Sequence, residues 1–150
     1  MDAIDKQILA VVQGEGRLSV TDLAERVRLS VSSCHRRLRA LEHSGVIAGY
    51  RAQVDPVAVG LSFEALVFVT MAAADRAGIE AFEQAVSTVP HVVQAQRLFG
   101  DPDYLLRVLT RDLPAFQQLY DEQLTELPGV HRLSSTLVMK TVVADRALPL

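Results

Sequence analysis

The chain has 150 residues, 49% of them hydrophobic and 22% charged, and its 15 Lys and Arg against 18 Asp and Glu give a formal net charge of −3. That length holds one ordinary domain or two small ones. The acidic balance excludes a uniformly basic molecule that collects phosphate through its overall field, but not one with a local basic face.

A single cysteine, Cys34, excludes an intrachain disulfide, and no Cys/His grouping has the spacing of a zinc site. The charged opening Met1-Asp2-Ala3-Ile4-Asp5-Lys6 lacks the basic start and apolar stretch of a signal peptide. The most apolar run, residues 65–74, is too short to reach the ~20 residues a membrane-spanning helix needs, so no membrane partner is expected. Charge is unevenly divided. Residues 1–50 carry +1 and the remainder −4, and the segment from Arg26 to Arg39 holds five arginines and no acid.

In chain order, Ile4, Ile8, Leu9, Val11 and Val12 follow helical spacing and predict a helix over residues 2–13, closed by Gly14 and Gly16. Ser19-Val20-Thr21-Asp22 is a capping-box variant that starts a second helix, ending near Val27. Arg28-Leu29-Ser30 is a short break, after which Ser30 caps a third helix whose apolar positions are Val31, Cys34, Leu38 and Leu41. Gly45 ends it. Three helices with a tight turn between the second and third describe a helix-turn-helix, whose last helix enters the DNA major groove. The apolar stripe leaves Ser32, Ser33, His35, Arg36, Arg37 and Arg39 on the outer side. Hydroxyls suit phosphate oxygens, and guanidinium groups suit guanine edges or phosphates. These six are the candidate DNA-binding residues.

From Val46 the pattern becomes strand-like. Residues 47–54 read as an extended segment broken by Asp55-Pro56, and residues 63–73 as a long strand. A helix over 77–88, strands over 92–99 and 104–110, a helix over 113–127 and a last strand over 130–143 complete a lead-in strand followed by βαββαβ. Phe82-Glu83-Gln84 leading to Val89-Pro90-His91-Val92 echoes Phe116-Gln117-Gln118 leading to Leu127-Pro128-Gly129-Val130, as a ferredoxin-like fold using one β-α-β unit twice would. Residues 65–69 are continuously apolar, whereas a strand wet on one face alternates. Two helices cover one face of such a sheet, so the other calls for a partner, most simply a second copy in a two-fold dimer.

These residues resemble the Lrp/AsnC (feast/famine) family of transcription regulators. The likeness rests on Asp5 with Ile8-Leu9; Gly16-Arg17; Leu23-Ala24 through Val27; Leu29-Ser30 through Cys34, Arg37, Leu38, Leu41-Glu42, Gly45-Val46-Ile47 and Gly49-Tyr50; Gly100-Asp101 with Asp103-Tyr104-Leu105; and Leu127-Pro128-Gly129-Val130. Val31 departs from the pattern, since relatives often carry Pro there.

The resemblance implies an α+β chain. Its N-terminal three-helix helix-turn-helix, winged-helix-like, over 1–46 is joined by a hinge strand and linker over 47–62 to a C-terminal ferredoxin-like βαββαβ domain over 63–150. It further implies dimers assembling into octamers or related rings, an amino-acid effector and double-stranded DNA as partner; with a single cysteine the default location is the reducing cytoplasm, nucleoid-associated for a DNA binder. The effector residues it implies are Gly100, Asp101, Asp103 and Tyr104 in the turn and Ser135 and Thr136 in the final strand.

A catalytic site needs a nucleophile and a base that meet. Cys34 and His35 are adjacent on a helix and point roughly 100° apart. His43, His91 and His131 stand alone, Asp101 and Asp103 are too few to hold a divalent metal, and there is no Gly-rich phosphate loop. No catalytic residue, metal or cofactor is expected. The alternatives are a nucleoid-organising architectural DNA binder with little ligand control, and a small α+β metabolite-binding module or enzyme.

Overall fold

The computed structural model describes residues 1–73, 75–144 and 146–150. It divides into two compact units, Met1–Gln53 with Val142–Leu150, and Val54–Thr141.

In the first unit α1 (Ala3–Gly14), α2 (Val20–Arg26) and α3 (Val31–His43) enclose Ile8, Leu9, Leu23, Ala24, Val27, Cys34 and Leu41. The helix starts follow their caps. Asp2 and Asp5 form a reciprocal capping box on α1: the Asp2 carboxylate accepts from the Ile4 and Asp5 amides and the Asp5 carboxylate from the Asp2 amide. Ser19 accepts from the Asp22 amide and donates its hydroxyl proton to the Asp22 carboxylate.

The break before α3 contains no glycine. Arg28 takes a left-handed conformation, φ +56°, with its own amide donating to Glu25 and that of Leu29 to Ala24, which closes α2 as a Schellman motif. After α3, Gly45 at φ +75° turns the chain. Residues 47–54, expected as a hinge strand, are not paired into a sheet. A strand needs a neighbouring ladder, and the described residues offer this segment none. At the C-terminus, Gln13 holds Leu148 by both its amide and its carbonyl.

The second unit is a four-stranded antiparallel sheet in the order β2-β3-β1-β4, built from β1 (Phe63–Met71), β2 (Val92–Arg97), β3 (Tyr104–Thr110) and β4 (Val130–Leu137). α4 (Arg76–Val86) and α5 (Leu113–Leu119) supply Phe82, Val86, Phe116 and Leu119 to a core with Ala65, Val67, Val69, Met71, Leu106 and Val108. Each fully buried side chain of this kind contributes about 1.5–3 kcal/mol. β1 alternates, its odd positions from Ala65 to Met71 buried and its even ones, Glu64, Leu66, Phe68 and Thr70, on the opposite face and only partly buried.

Several element ends differ from the sequence expectation, among them β2, which ends at Arg97 rather than residue 99, and α4, which ends at Val86 rather than residue 88. The last strand stops at Leu137 rather than residue 143, because Leu137 pairs with Ala65 and the Val138 amide donates to Glu64, where β1 runs out. β1 stops at Met71, where the β1–β4 register shifts. The helix begun at Leu113 passes at Tyr120–Leu124 into a π turn, with the Thr125 amide donating to the Tyr120 carbonyl. Among the described residues no helix is long and apolar enough to cross a membrane.

The α1 cap gives an acid-side prediction. The Asp5 amide, together with the Arg37 guanidinium, holds the Asp2 carboxyl below its ordinary value of 3.8. A depressed folded-state pKa means that the contribution is complete above 3.8 and is lost as the pH falls through the lower, folded value. The Ile4 and Asp5 amide resonances should therefore stay fixed down to that range and then move together. Movement well above it would contradict the capping geometry.

Candidate functional site

α3 begins where Ser30 accepts from the Ser33 amide, and its Cys34, Leu38 and Leu41 stripe seats it on the other two helices. Burial pushes the Cys34 thiol pKa up, consistent with an inert core thiol. Positions 32, 35, 36 and 39 follow i, i+3, i+4, i+7 and form one exposed face of Ser32, His35, Arg36 and Arg39.

The six expected DNA-binding side chains do not all lie there. Arg37 is turned onto the start of α1, donating at 2.8 Å to Asp2 and at 2.8 Å to Asp5. It fixes α3 against α1, and those two carboxylates raise its own pKa. Ser33 lies on the same side as Arg37 and is partly buried. Arg39 pairs with Glu42 at 3.1 Å, and Glu42 also accepts from the Tyr50 hydroxyl at 2.9 Å. Ser32 hydrogen-bonds Ser30 through the hydroxyls, while His35 and Arg36 have no such partner among the described residues.

The second candidate is the turn between β2 and β3. Gly100 sits at φ +140°, a conformation that favours glycine, and a cis peptide joins Asp101 to Pro102. Asp103 splices the turn to the strands: its amide donates to Val69, its carbonyl accepts from Leu98, and its carboxylate accepts from the Met71 amide at 2.7 Å. Tyr104 points into the helix-covered core, its ring 4.5 Å from Phe82 and its hydroxyl donating to Glu83 at 3.0 Å. Burial first, then the Glu83 carboxylate, pushes its pKa up to about 12. Ser135 pairs with Val67 on the helix-side face, whereas Ser134 and Thr136 pair with Phe68 and Leu66 on the open face.

On that open face a cleft of about 280 Å³ is lined by Phe68, Thr70, Asp101, Pro102, Arg132 and Ser134. Asp101 accepts from the Thr70 hydroxyl at 3.3 Å and lies 4.0 Å from the Arg132 guanidinium. Of the six expected effector residues, Asp101 lines this cleft. Gly100 is next to it in the turn, Thr136 lies further along the same face, and Asp103, Tyr104 and Ser135 are directed elsewhere. Phe68, Thr70, Pro102, Arg132 and Ser134 line it too and are not among those six. Period-two alternation could have put Phe68 with Thr70 and Arg132 with Ser134, but only strand register brings the two pairs together.

Residues 1–48 match the winged helix-turn-helix DNA-binding family, and residues 64–148 match the Lrp/AsnC ligand-binding domain. The chain belongs to the Lrp/AsnC family of transcriptional regulators. It is 38% identical to the Bkd operon transcriptional regulator of Pseudomonas aeruginosa, over 100% of this chain and 98% of that one. It is 36% identical to the leucine-responsive regulatory protein of Rhizobium meliloti, over 95% and 91%. Among solved structures, a transcriptional regulator of Neisseria meningitidis in complex with L-Met superposes with a TM-score of 0.94 at 35% identity, covering 99% of this chain and 96% of that one. An AsnC family regulator from Agrobacterium tumefaciens gives 0.93 at 34% identity, covering 99% and 97%. This regulator is therefore a helix-turn-helix protein with a ligand-binding domain, in a family of transcription regulators rather than enzymes.

Proposed function

We propose that the chain is a sequence-specific DNA-binding regulator that senses an amino acid in the cytoplasm through the cleft at Asp101 and Arg132. The observation that carries this reading is the 4.0 Å apposition of a carboxylate and a guanidinium on one sheet face, beside Thr70 and Ser134 hydroxyls and the Phe68 ring. An α-amino acid offers the complement: an ammonium for Asp101, a carboxylate for Arg132 and a side chain for Phe68. The L-Met complex of the similar Neisseria regulator supports that ligand class.

DNA is read by α3 through Ser32, His35 and Arg36, with Arg39 beside them. The open sheet face on the far side of the cleft, with Leu66 and Leu105 partly buried around the Glu64–Arg107 ion pair, is the two-fold dimer surface. Its dimers assemble further, to the octamer the family resemblance implies, with the cleft at their boundary. Effector binding then shifts the balance between arrangements by its differential affinity for them.

Calorimetry with a panel of L-amino acids tests the site. One or more should bind, and Asp101→Asn, which keeps shape and removes charge, should weaken that binding by roughly tenfold or more, since a hydrogen bond to a charged group is worth about 1.5–3 kcal/mol. A panel without a binder, or a binder indifferent to Asp101→Asn, would refute it.

A further inference from the structure

Of the five arginines between Arg26 and Arg39, three are committed within the first unit: Arg26 to Glu15, Arg37 to Asp2 and Asp5, and Arg39 to Glu42. Arg36 and Arg28 are exposed, and neither has a side-chain partner among the described residues. Arg36 belongs to the α3 face already assigned. Arg28 lies off that face, in the turn between α2 and α3.

Its conformation makes it conspicuous. Among the described residues it is the one non-glycine with positive φ, at +56°, while Gly45, Gly49, Gly60, Gly100 and Gly129 occupy the other such positions. An L-residue there sets its Cβ against the following carbonyl, a cost that glycine avoids. The backbone amides that close the turn, Arg28 to Glu25 and Leu29 to Ala24, would form equally with glycine. The side chain repays nothing in packing, because it is exposed and unpartnered. Folding therefore does not account for an arginine at this position.

Position does. Arg28 stands three residues before Val31, the first residue of α3, at the end of the helix that a helix-turn-helix carries to the major groove. Phosphates line the edge of that groove. A guanidinium is a planar, permanently charged donor matched to phosphate oxygens, and a closed turn gives it a fixed starting point. We infer that Arg28 is a DNA-backbone anchor that holds a phosphate beside the groove entered by α3. The inference rests on the DNA-reading assignment above. It adds a contact that positions the module without reading sequence.

The test uses the full-length protein, fluorescence anisotropy with a duplex from its own promoter region and an unrelated duplex, a series of salt concentrations, and thermal melting. Arg28→Gly removes both the charge and the backbone cost. It should melt higher by about 2–6 °C and yet bind both duplexes about 3–10-fold more weakly near physiological salt. The slope of log affinity against log salt should become shallower by about 1 per protomer. Arg28→Lys keeps the charge and should keep the slope. Arg28→Gly with unchanged affinity and slope would overturn the anchor. So would a loss confined to the promoter duplex, which would mark a base contact instead. If the unsubstituted protein bound neither duplex, the DNA-reading assignment itself would fall, a result distinct from a failure of Arg28 alone.

Discussion

Arg36→Ala is expected to weaken binding to the promoter duplex by about 1–3 kcal/mol, the worth of one base-reading contact, and to leave thermal stability and oligomer size unchanged. Arg37→Ala is expected to do the reverse in the free protein. Arg37 lies on the α1 side of α3 and donates to both Asp2 and Asp5 at 2.8 Å, so its loss removes the clamp between α1 and α3 and lowers the melting temperature. Any effect on DNA then follows from a displaced α3 and recovers partly in Arg37→Lys, which restores a cation without the paired geometry. Sequence alone treats these neighbours as equivalent members of a basic cluster. Equal effects of the two alanine variants on both stability and DNA affinity would refute the division of roles.

Leu105→Asp is expected to split the proposed dimer. Leu105 pairs with Phe68 on the open sheet face, away from the helix-covered core, so the substitution leaves the fold of the second unit intact. In a two-fold interface the new carboxylate appears twice, and each copy must be stripped of water at a cost of several kcal/mol. The dimer dissociation constant should rise at least a hundredfold, which is about 2.7 kcal/mol. Light scattering at micromolar concentration should then report a monomer with an unchanged circular dichroism spectrum. A persistent dimer would move the interface to another surface.

How much of this was legible beforehand depended on the range of the interactions concerned. The three helices of the first unit could be read because their periodicity and caps are local: Ser19, Ser30 and the Cys34-Leu38-Leu41 stripe act within a few residues of themselves. β3 matched the expected Tyr104–Thr110 span, and the βαββαβ order followed from alternation and turn residues. The unexpected features were long-range. Arg37 reaches residues more than thirty positions away, Asp103 bonds the Met71 amide, and Tyr104 is drawn into the core by Phe82 and Glu83.

The sequence by itself determined a basic helix within an acidic chain, the helix-turn-helix, the β-α-β repeat and a sheet with two apolar faces, because each is written in charge sign or in a period of 3.6 or 2.0 residues. Only the tertiary structure decided which arginines remain available to DNA and which carboxylate faces the cleft. Those outcomes depend on strand register and on ion pairs between segments far apart in the chain, and a one-residue change of register carries every side chain of a strand to the opposite face.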